Sequence, residues 1–363
     1  MKLLLIQQSY KTGGAVTFVN RLIRYFDYQK IDNYVVCQND HGKFKNAPHT
    51  KFINSKILSL SFKFNSIFLA FLVSLIEFFE LLRLNIKVKP DIIFISCITN
   101  GTLLGTLLVK KPIIFFVHSY PESSLGGLSF ILKFKFVKKH VRFATVSNYS
   151  ASLIAKYYFV NIEDIELLPN YGKFKVKESN NNTNSFNILT IGHVSNYKNP
   201  YFWIEIAKKV IAININFKFY WLGDGTDLIE VKKIIKNSGL ENNILFLGHC
   251  SNIEFYYDRA FLYLQPSLVE SQGIAVVEAL QYGIPCIVSK IGGLPETVKD
   301  GISGYIIEEF DPDVYCDRIL KLASDISLYN KISAGALDDG KFKFSEEIWN
   351  SKIDVLLRNA ANQ

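Results

Sequence analysis

The chain has 363 residues, of which 49% are hydrophobic and 20% charged, and 41 Lys/Arg against 33 Asp/Glu give a net charge of +8. That length exceeds one ordinary core and suits two domains, and so apolar a composition excludes a disordered chain. The basic excess favours an anionic partner such as lipid or a phosphorylated small molecule; nucleic-acid binding would rest on net charge alone and is set aside.

Near-continuous apolar runs predict strands at 2–7, 34–37, 91–96, 113–117 and 143–146, then again at 187–191, 217–222, 244–247, 261–265 and 285–288. Runs of this kind suit strands buried on both faces, in a parallel sheet covered by helices. Helical patterns alternate with them twice over, which predicts two doubly wound α/β domains. Ligands of such sheets bind outside the carboxyl ends of the strands, so the informative residues are those that follow strands. The apolar stretch at the N-terminus, Leu3 to Ile6, is too short for the core of a secretory signal. The five cysteines, at 37, 97, 250, 286 and 316, form no C-x-x-C pair and read as buried thiols of a reducing cytosol.

After the first strand, Gly13-Gly14 precede an amphipathic helix, a loop that lets a backbone approach an anion at a helix N-terminus or simply makes a tight turn. The segment 66–82, SIFLAFLVSLIEFFELL, is uncharged only over the 12 residues 65–76. A membrane span needs about 20, so a buried or interfacial helix fits, with Glu77 and Glu80 on one face. His118 directly follows the strand IIFFV, placed either to bond a sugar hydroxyl or phosphate or to cap the strand end. KFKFVKKHVR (133–142) carries five Lys/Arg among aromatics; with the apolar 57–82 region it suggests peripheral docking on an anionic membrane, and otherwise a solvated basic face. KFKVKESNNNTNS (173–185) has no apolar periodicity and reads as a linker.

The second half is denser in signals. Strand 187–191 runs into Gly192-His193-Val-Ser-Asn-Tyr-Lys198, where a lysine beside a strand-end glycine loop suits a phosphate. Strand 261–265 runs into Pro266-Ser267 and then Glu270-Ser-Gln-Gly-Ile-Ala-Val-Val-Glu278, two carboxylates separated by seven residues. Gly273 lies at the turn into a helix whose N–H groups and dipole favour a phosphate, and Glu278, an acceptor-only group about a turn inside, suits the two hydroxyls of a ribose. The plainer alternative is an acidic helix start, which the apolar Ile274, Val276 and Val277 around Glu278 make less natural. Asp311-Pro-Asp313 is a D-x-D, but it precedes a helical pattern and reads as an N-cap and not as a metal site. A last helix covers 346–358, with Ser345 as its N-cap.

In order and spacing these pieces resemble the retaining glycosyltransferases of family 4. The carrying motifs are Gly13-Gly14, Leu167-Leu-Pro-Asn170, the Ile191–Lys198 segment, Leu222-Gly-Asp-Gly225, Phe246-Leu-Gly248, Gln265–Glu270, the E-x7-E pair and Gly292-Gly-Leu-Pro-Glu296. The match is dense from 187 to 307 and thin before 140. The resemblance implies a GT-B fold, two Rossmann-like doubly wound parallel-sheet domains facing a central cleft. Residues 1–172 would form the acceptor-binding domain, 173–185 the linker, 186–345 the nucleotide-sugar-binding domain, and 346–363 a C-terminal helix packing back on the first domain.

It also implies roles. Glu278 would hold the donor ribose; Glu270 and the amides of Gly273, Ile274 and Ala275 would meet the sugar and diphosphate. Lys198 would neutralise the diphosphate, Gly13 and Gly14 would offer it backbone N–H groups, and His118 would face the transferred sugar. At His193 the family usually carries arginine, so a conditional cation stands where a permanent one is the norm; Ser271-Gln272 likewise stands in place of Gly-Phe. The implied activity is a hexosyltransferase that moves a sugar from UDP or GDP to a glycan or polyprenyl-linked glycan in surface polysaccharide synthesis. It would retain anomeric configuration, use no metal or other cofactor, and work in the cytoplasm or peripherally on the inner face of the membrane. A nucleotide-sugar epimerase on the same scaffold, or a non-catalytic sugar-nucleotide-binding protein, is the alternative.

Overall fold

The computed structural model describes residues 1–7, 14–37, 47–55, 67–96, 98–118, 131–133, 135–172 and 186–362. Gly13, Cys97 and the predicted linker 173–185 lie outside the described residues. The chain divides into two compact units, Met1–Pro169 with Asn350–Gln363, and Asn170–Trp349.

The first unit runs β1 (Lys2–Ile6), α1 (Gly14–Tyr28), β2 (Asp32–Cys37), β3 (Thr50–Asn54), α2 (Ile67–Val88), β4 (Ile92–Ile95), α3 (Asn100–Gly105), β5 (Ile113–Val117), α4 (Lys135–Lys138), β6 (Val141–Thr145), α5 (Asn148–Tyr158) and β7 (Ile165–Leu167). Its seven strands are ordered β3-β2-β1-β4-β5-β6-β7, all parallel. The central strands β1, β4 and β5 are buried almost throughout. That is why they read as unbroken apolar runs and not as alternating ones. Leu4, Ile6, Ile93, Ile95, Phe115 and Phe143 form the heart of one core layer.

The basic run 133–142 does not present one helical face: it divides between the four-residue α4 and the start of β6, and Lys133 lies 4.1 Å over the Phe159 ring. The apolar run near 70 forms α2, with Glu77 and Glu80 turned into the protein at 0% and 4% exposure. Among the described residues no helix is long and apolar enough to cross a membrane.

The second unit runs β8 (Asn187–Ile191), α6 (Pro200–Ile213), β9 (Lys218–Leu222), α7 (Leu228–Asn237), β10 (Ile244–Gly248), α8 (Glu254–Tyr257), β11 (Leu262–Gln265), α9 (Ile274–Gln281), β12 (Cys286–Ser289), α10 (Leu294–Thr297), β13 (Gly304–Ile307), α11 (Pro312–Ser324) and α12 (Ile326–Phe342). The last helix, α13 (Glu346–Ala361), begins in this unit and ends in the first. The sheet order β10-β9-β8-β11-β12-β13, again all parallel, is that of a dinucleotide-binding fold with its switch point between β8 and β11.

Alternate residues of these strands feed two cores. Ile188, Trp221, Leu262 and Leu264 point into one around Trp203; Leu189, Leu222 and Tyr263 point into the other beneath α9. Asp311 caps α11 by accepting from the Asp313 N–H at 2.9 Å, and Ser345 Oγ accepts from the Ile348 N–H at 3.3 Å, the two caps the sequence suggests. Cys37, Cys286 and Cys316 are buried free thiols, and Cys250 is half-buried.

Candidate active site

The loops that leave β8 and β11 meet at the switch point of the second sheet. After β8 a short 3₁₀ turn, Asn196–Lys198, ends at Asn199 in the left-handed region, which starts α6. The Leu268 and Val269 N–H groups, from the loop after β11, both donate to the Tyr197 carbonyl, at 2.9 and 3.3 Å. These backbone bonds bring Lys198 against Glu270, and the two side chains, 13% and 16% exposed, form an ion pair.

Glu270 is held from three sides. Beyond Lys198 it accepts from Gln265 Nε2 at 2.9 Å and from the Ser271 N–H at 3.1 Å. With Gln265 Nε2 committed to Glu270, its Oε1 faces the Tyr263 hydroxyl at 3.1 Å, and an amide oxygen can only accept. Burial pushes that hydroxyl well above its ordinary range, so it stays a donor. A buried tyrosine under the sheet end thereby orients Gln265, which orients Glu270, which orients Lys198.

The carbonyl of Glu270 is fixed as well. Gly293 N–H donates to it at 3.1 Å, and a Cβ on Gly292 (φ +58°) would sit 1.8 Å from it, so this close approach requires glycine. Gly273, at φ +85°, turns the chain into α9, whose first N–H groups, beginning with Ile274 and Ala275, have no acceptor within the helix by geometry.

Glu278 lies in the second turn of α9 at 7% exposure, where its Oε2 faces the Tyr257 hydroxyl at 3.0 Å. Burial, reinforced by the Glu278 charge, holds that hydroxyl protonated. His193 is exposed in the loop after β8, with Nδ1 3.1 Å from the Asp224 carbonyl, so that nitrogen carries a proton.

Gln272 binds Asn170. It is 3% exposed and fully engaged by Asn170: its Oε1 accepts from the Asn170 N–H at 2.8 Å and Nδ2 at 3.1 Å, and its Nε2 donates to the Asn170 carbonyl at 3.0 Å. Thr297 Oγ1 then donates to the Gln272 carbonyl at 2.7 Å.

In the first unit, Gly14 is the first residue of α1, as the sequence suggests for a helix-start loop. His118 directly follows β5 and meets Ser96, the residue after β4, whose Oγ lies 2.8 Å from Nε2. Its ring packs against Phe18 and Phe116, and burial lowers its pKa to about 3, so at neutral pH it is an uncharged hydrogen-bonding group.

The second unit thus gathers Lys198, Glu270, Gly273, Ile274, Ala275 and Glu278 around one strand-end face. Tyr257 and Tyr263, which help build it, carry no sequence pattern; Gln265, Gln272 and Asn170 lie within the motifs, but nothing local in the sequence shows which partners they bind. Among the described residues no cluster of His, Cys, Asp and Glu is arranged to hold a metal ion.

Known proteins share this plan. The family model described as "Glycosyltransferase Family 4" matches residues 12–171, and that described as "Glycosyl transferases group 1" matches 173–338. The chain is 28% identical to the N-acetyl-alpha-D-glucosaminyl L-malate synthase of Bacillus anthracis over 166 residues, which are 45% of this chain and 44% of that enzyme. It is 27% identical to the UDP-Gal:alpha-D-GlcNAc-diphosphoundecaprenol alpha-1,3-galactosyltransferase of Escherichia coli over 69% of this chain and 70% of the relative. The crystal structure of a glycosyltransferase from Rickettsia africae superposes with a TM-score of 0.81 at 16% identity, over 99% of this chain and 98% of that one, a likeness of fold. With two Rossmann-like parallel-sheet units and matching family models along both, the chain belongs to the family 4 glycosyltransferases of GT-B fold.

Proposed function

We propose that the protein transfers a hexose from a nucleoside-diphosphate sugar, with retention of anomeric configuration, to a lipid-linked glycan in surface polysaccharide synthesis. The observation that carries the donor assignment is the Lys198–Glu270 pair beside the start of α9, with Glu278 buried one turn further on. A cation and helix N–H groups suit a diphosphate, and a buried carboxylate suits a ribose. The E. coli relative, by its name, uses UDP-Gal and a diphosphoundecaprenol-linked acceptor, which supports a UDP sugar and a polyprenyl-linked glycan here.

In this reading the side chains bind and orient, and none acts as a nucleophile. Lys198 and the α9 amides stabilise the charge that grows on the leaving diphosphate, and a diphosphate oxygen takes the acceptor proton on the face where the sugar departs. Glu270 grips hydroxyls of the transferred sugar. Gly14 and His118 keep the donor-contacting roles that the resemblance implies, His118 as a neutral group. The reaction needs no metal or other cofactor, and it takes place on the cytoplasmic side of the membrane.

A thermal-shift screen against UDP, GDP and ADP sugars tests the assignment. One donor present at about 100 times its Kd stabilises the fold by about 2.7 kcal/mol, and the shift survives EDTA. No shift with any nucleotide sugar would overturn the donor reading; a shift abolished by EDTA would overturn the metal-free one.

A further inference from the structure

We propose that the outer face of α2 seats on an anionic lipid surface. This goes beyond the donor-site reading and is tested without donor or acceptor. Leu72, Ile76, Phe79 and Ile86 are 40%, 44%, 63% and 72% exposed, and with Arg83 they follow one another at spacings of four, three, four and three. That spacing lays them along one stripe of the helix. The opposite side, Ser74, Glu77 and Leu81, packs so closely on α3 that a Cβ on Gly101 would meet Glu77 Cβ at 2.4 Å, and one on Gly105 would meet Leu81 Cδ2 at 2.4 Å. The stripe is therefore the solvent-facing side of a firmly seated helix, and a row of exposed Ile, Leu and Phe marks an interaction surface.

Charge selects the occupant. Both acids of α2 face inward, and Glu80 is bound there by Ser55 Oγ at 2.9 Å and by the Arg83 guanidinium at 2.6 and 2.7 Å. The outward charges of the helix and its exit, Arg83, Lys87 and Lys89, are all basic and exposed. With Arg83 already paired to Glu80, a second copy packed along this stripe would bring the exposed Lys87 to the seam with no acid of the partner turned toward it, which is costly. A lipid surface places the apolar side chains at the acyl boundary and leaves the cations among anionic headgroups. The helix lies on the surface without spanning it.

Co-sedimentation of the full chain with neutral phosphatidylcholine vesicles and with vesicles containing anionic phosphatidylglycerol tests this. The expected result is binding to the anionic vesicles alone, weakening as salt rises. Lys87→Ala lowers the partition about fivefold, the effect of one basic residue at such a surface. The double variant Ile76→Asp/Phe79→Asp abolishes binding while keeping its thermal unfolding midpoint. Phe79→Trp, a conservative change at an exposed site, gives a blue-shifted emission on adding anionic vesicles. Three results would overturn the proposal: no partition of the wild type at low salt, undiminished partition of the double variant, or a dimer in solution that the double variant dissociates.

Discussion

Replacing Glu270 by glutamine separates the two tasks assigned to that side chain. The amide keeps an oxygen to accept from Lys198 and from Gln265 Nε2, so the loop stays in place with only the bond from the Ser271 N–H lost, but the negative charge beside Lys198 is gone. Any diphosphate oxygen that reaches Lys198 lies near the Glu270 carboxylate and is repelled by it. Two unit charges about 4 Å apart interact by about 4 kcal/mol at an effective dielectric constant of about 20. At side chains 13% and 16% exposed, solvent and salt reduce that to about 1.4 kcal/mol, or tenfold in Kd. The free nucleoside diphosphate should therefore bind Glu270→Gln about ten times more tightly than wild type by isothermal titration calorimetry. Turnover of the nucleotide sugar should fall 10- to 100-fold, as a charge-assisted bond to a sugar hydroxyl, worth about 1.5–3 kcal/mol, becomes a neutral one. Unchanged or weaker binding of the diphosphate would refute the placement of the phosphate beside this pair.

Gly292→Ala should abolish donor binding while the protein stays folded, because its Cβ would meet the Glu270 carbonyl at 1.8 Å and push the loop off its backbone anchor; titration of the donor into the purified variant checks this, and wild-type affinity would contradict it. His118 brings a pH dependence. Burial lowers its folded pKa to about 3, below the ordinary histidine value, so the unfolded chain binds the proton first. Stability present above about pH 6.5 is then lost as pH falls toward 3, at no more than about 1.4 kcal/mol per unit. Between pH 7 and 5 the wild type should lose up to about 2 kcal/mol more than His118→Gln in urea unfolding; parallel losses would show that the ring is not desolvated.

The central strands and the acidic site residues were legible in the sequence for related reasons. β1, β4, β5 and β8 are buried on both faces and leave unbroken apolar runs, and Lys198, Glu270 and Glu278 follow strands at spacings that a strand-end site imposes. The edge strands β3, β7 and β13 escaped notice. β3 has no fully buried residue, β7 has only three residues, and β13 is a four-residue strand that opens on a glycine. The supports of the site were hidden for another reason. Tyr263 acts on Glu270 through Gln265 and has no local pattern, and Asn170, though it ends a motif, reaches Gln272 across 102 positions, so its partner has no local signal. His118 was visible as a strand-end residue, but its neutral state was not, because the Phe18 ring that helps enclose it comes from α1.

Glu278 anchors the account, since a carboxylate 7% exposed with a tyrosine donor at 3.0 Å has its best use in holding the ribose of a donor. Calorimetric titration of the donor selected by the nucleotide-sugar screen into wild type and Glu278→Gln tests this most directly. The expected result is at least a tenfold loss of affinity in the variant, with the unfolding midpoint little changed. Equal affinities for the two proteins would contradict it and move the donor away from the start of α9.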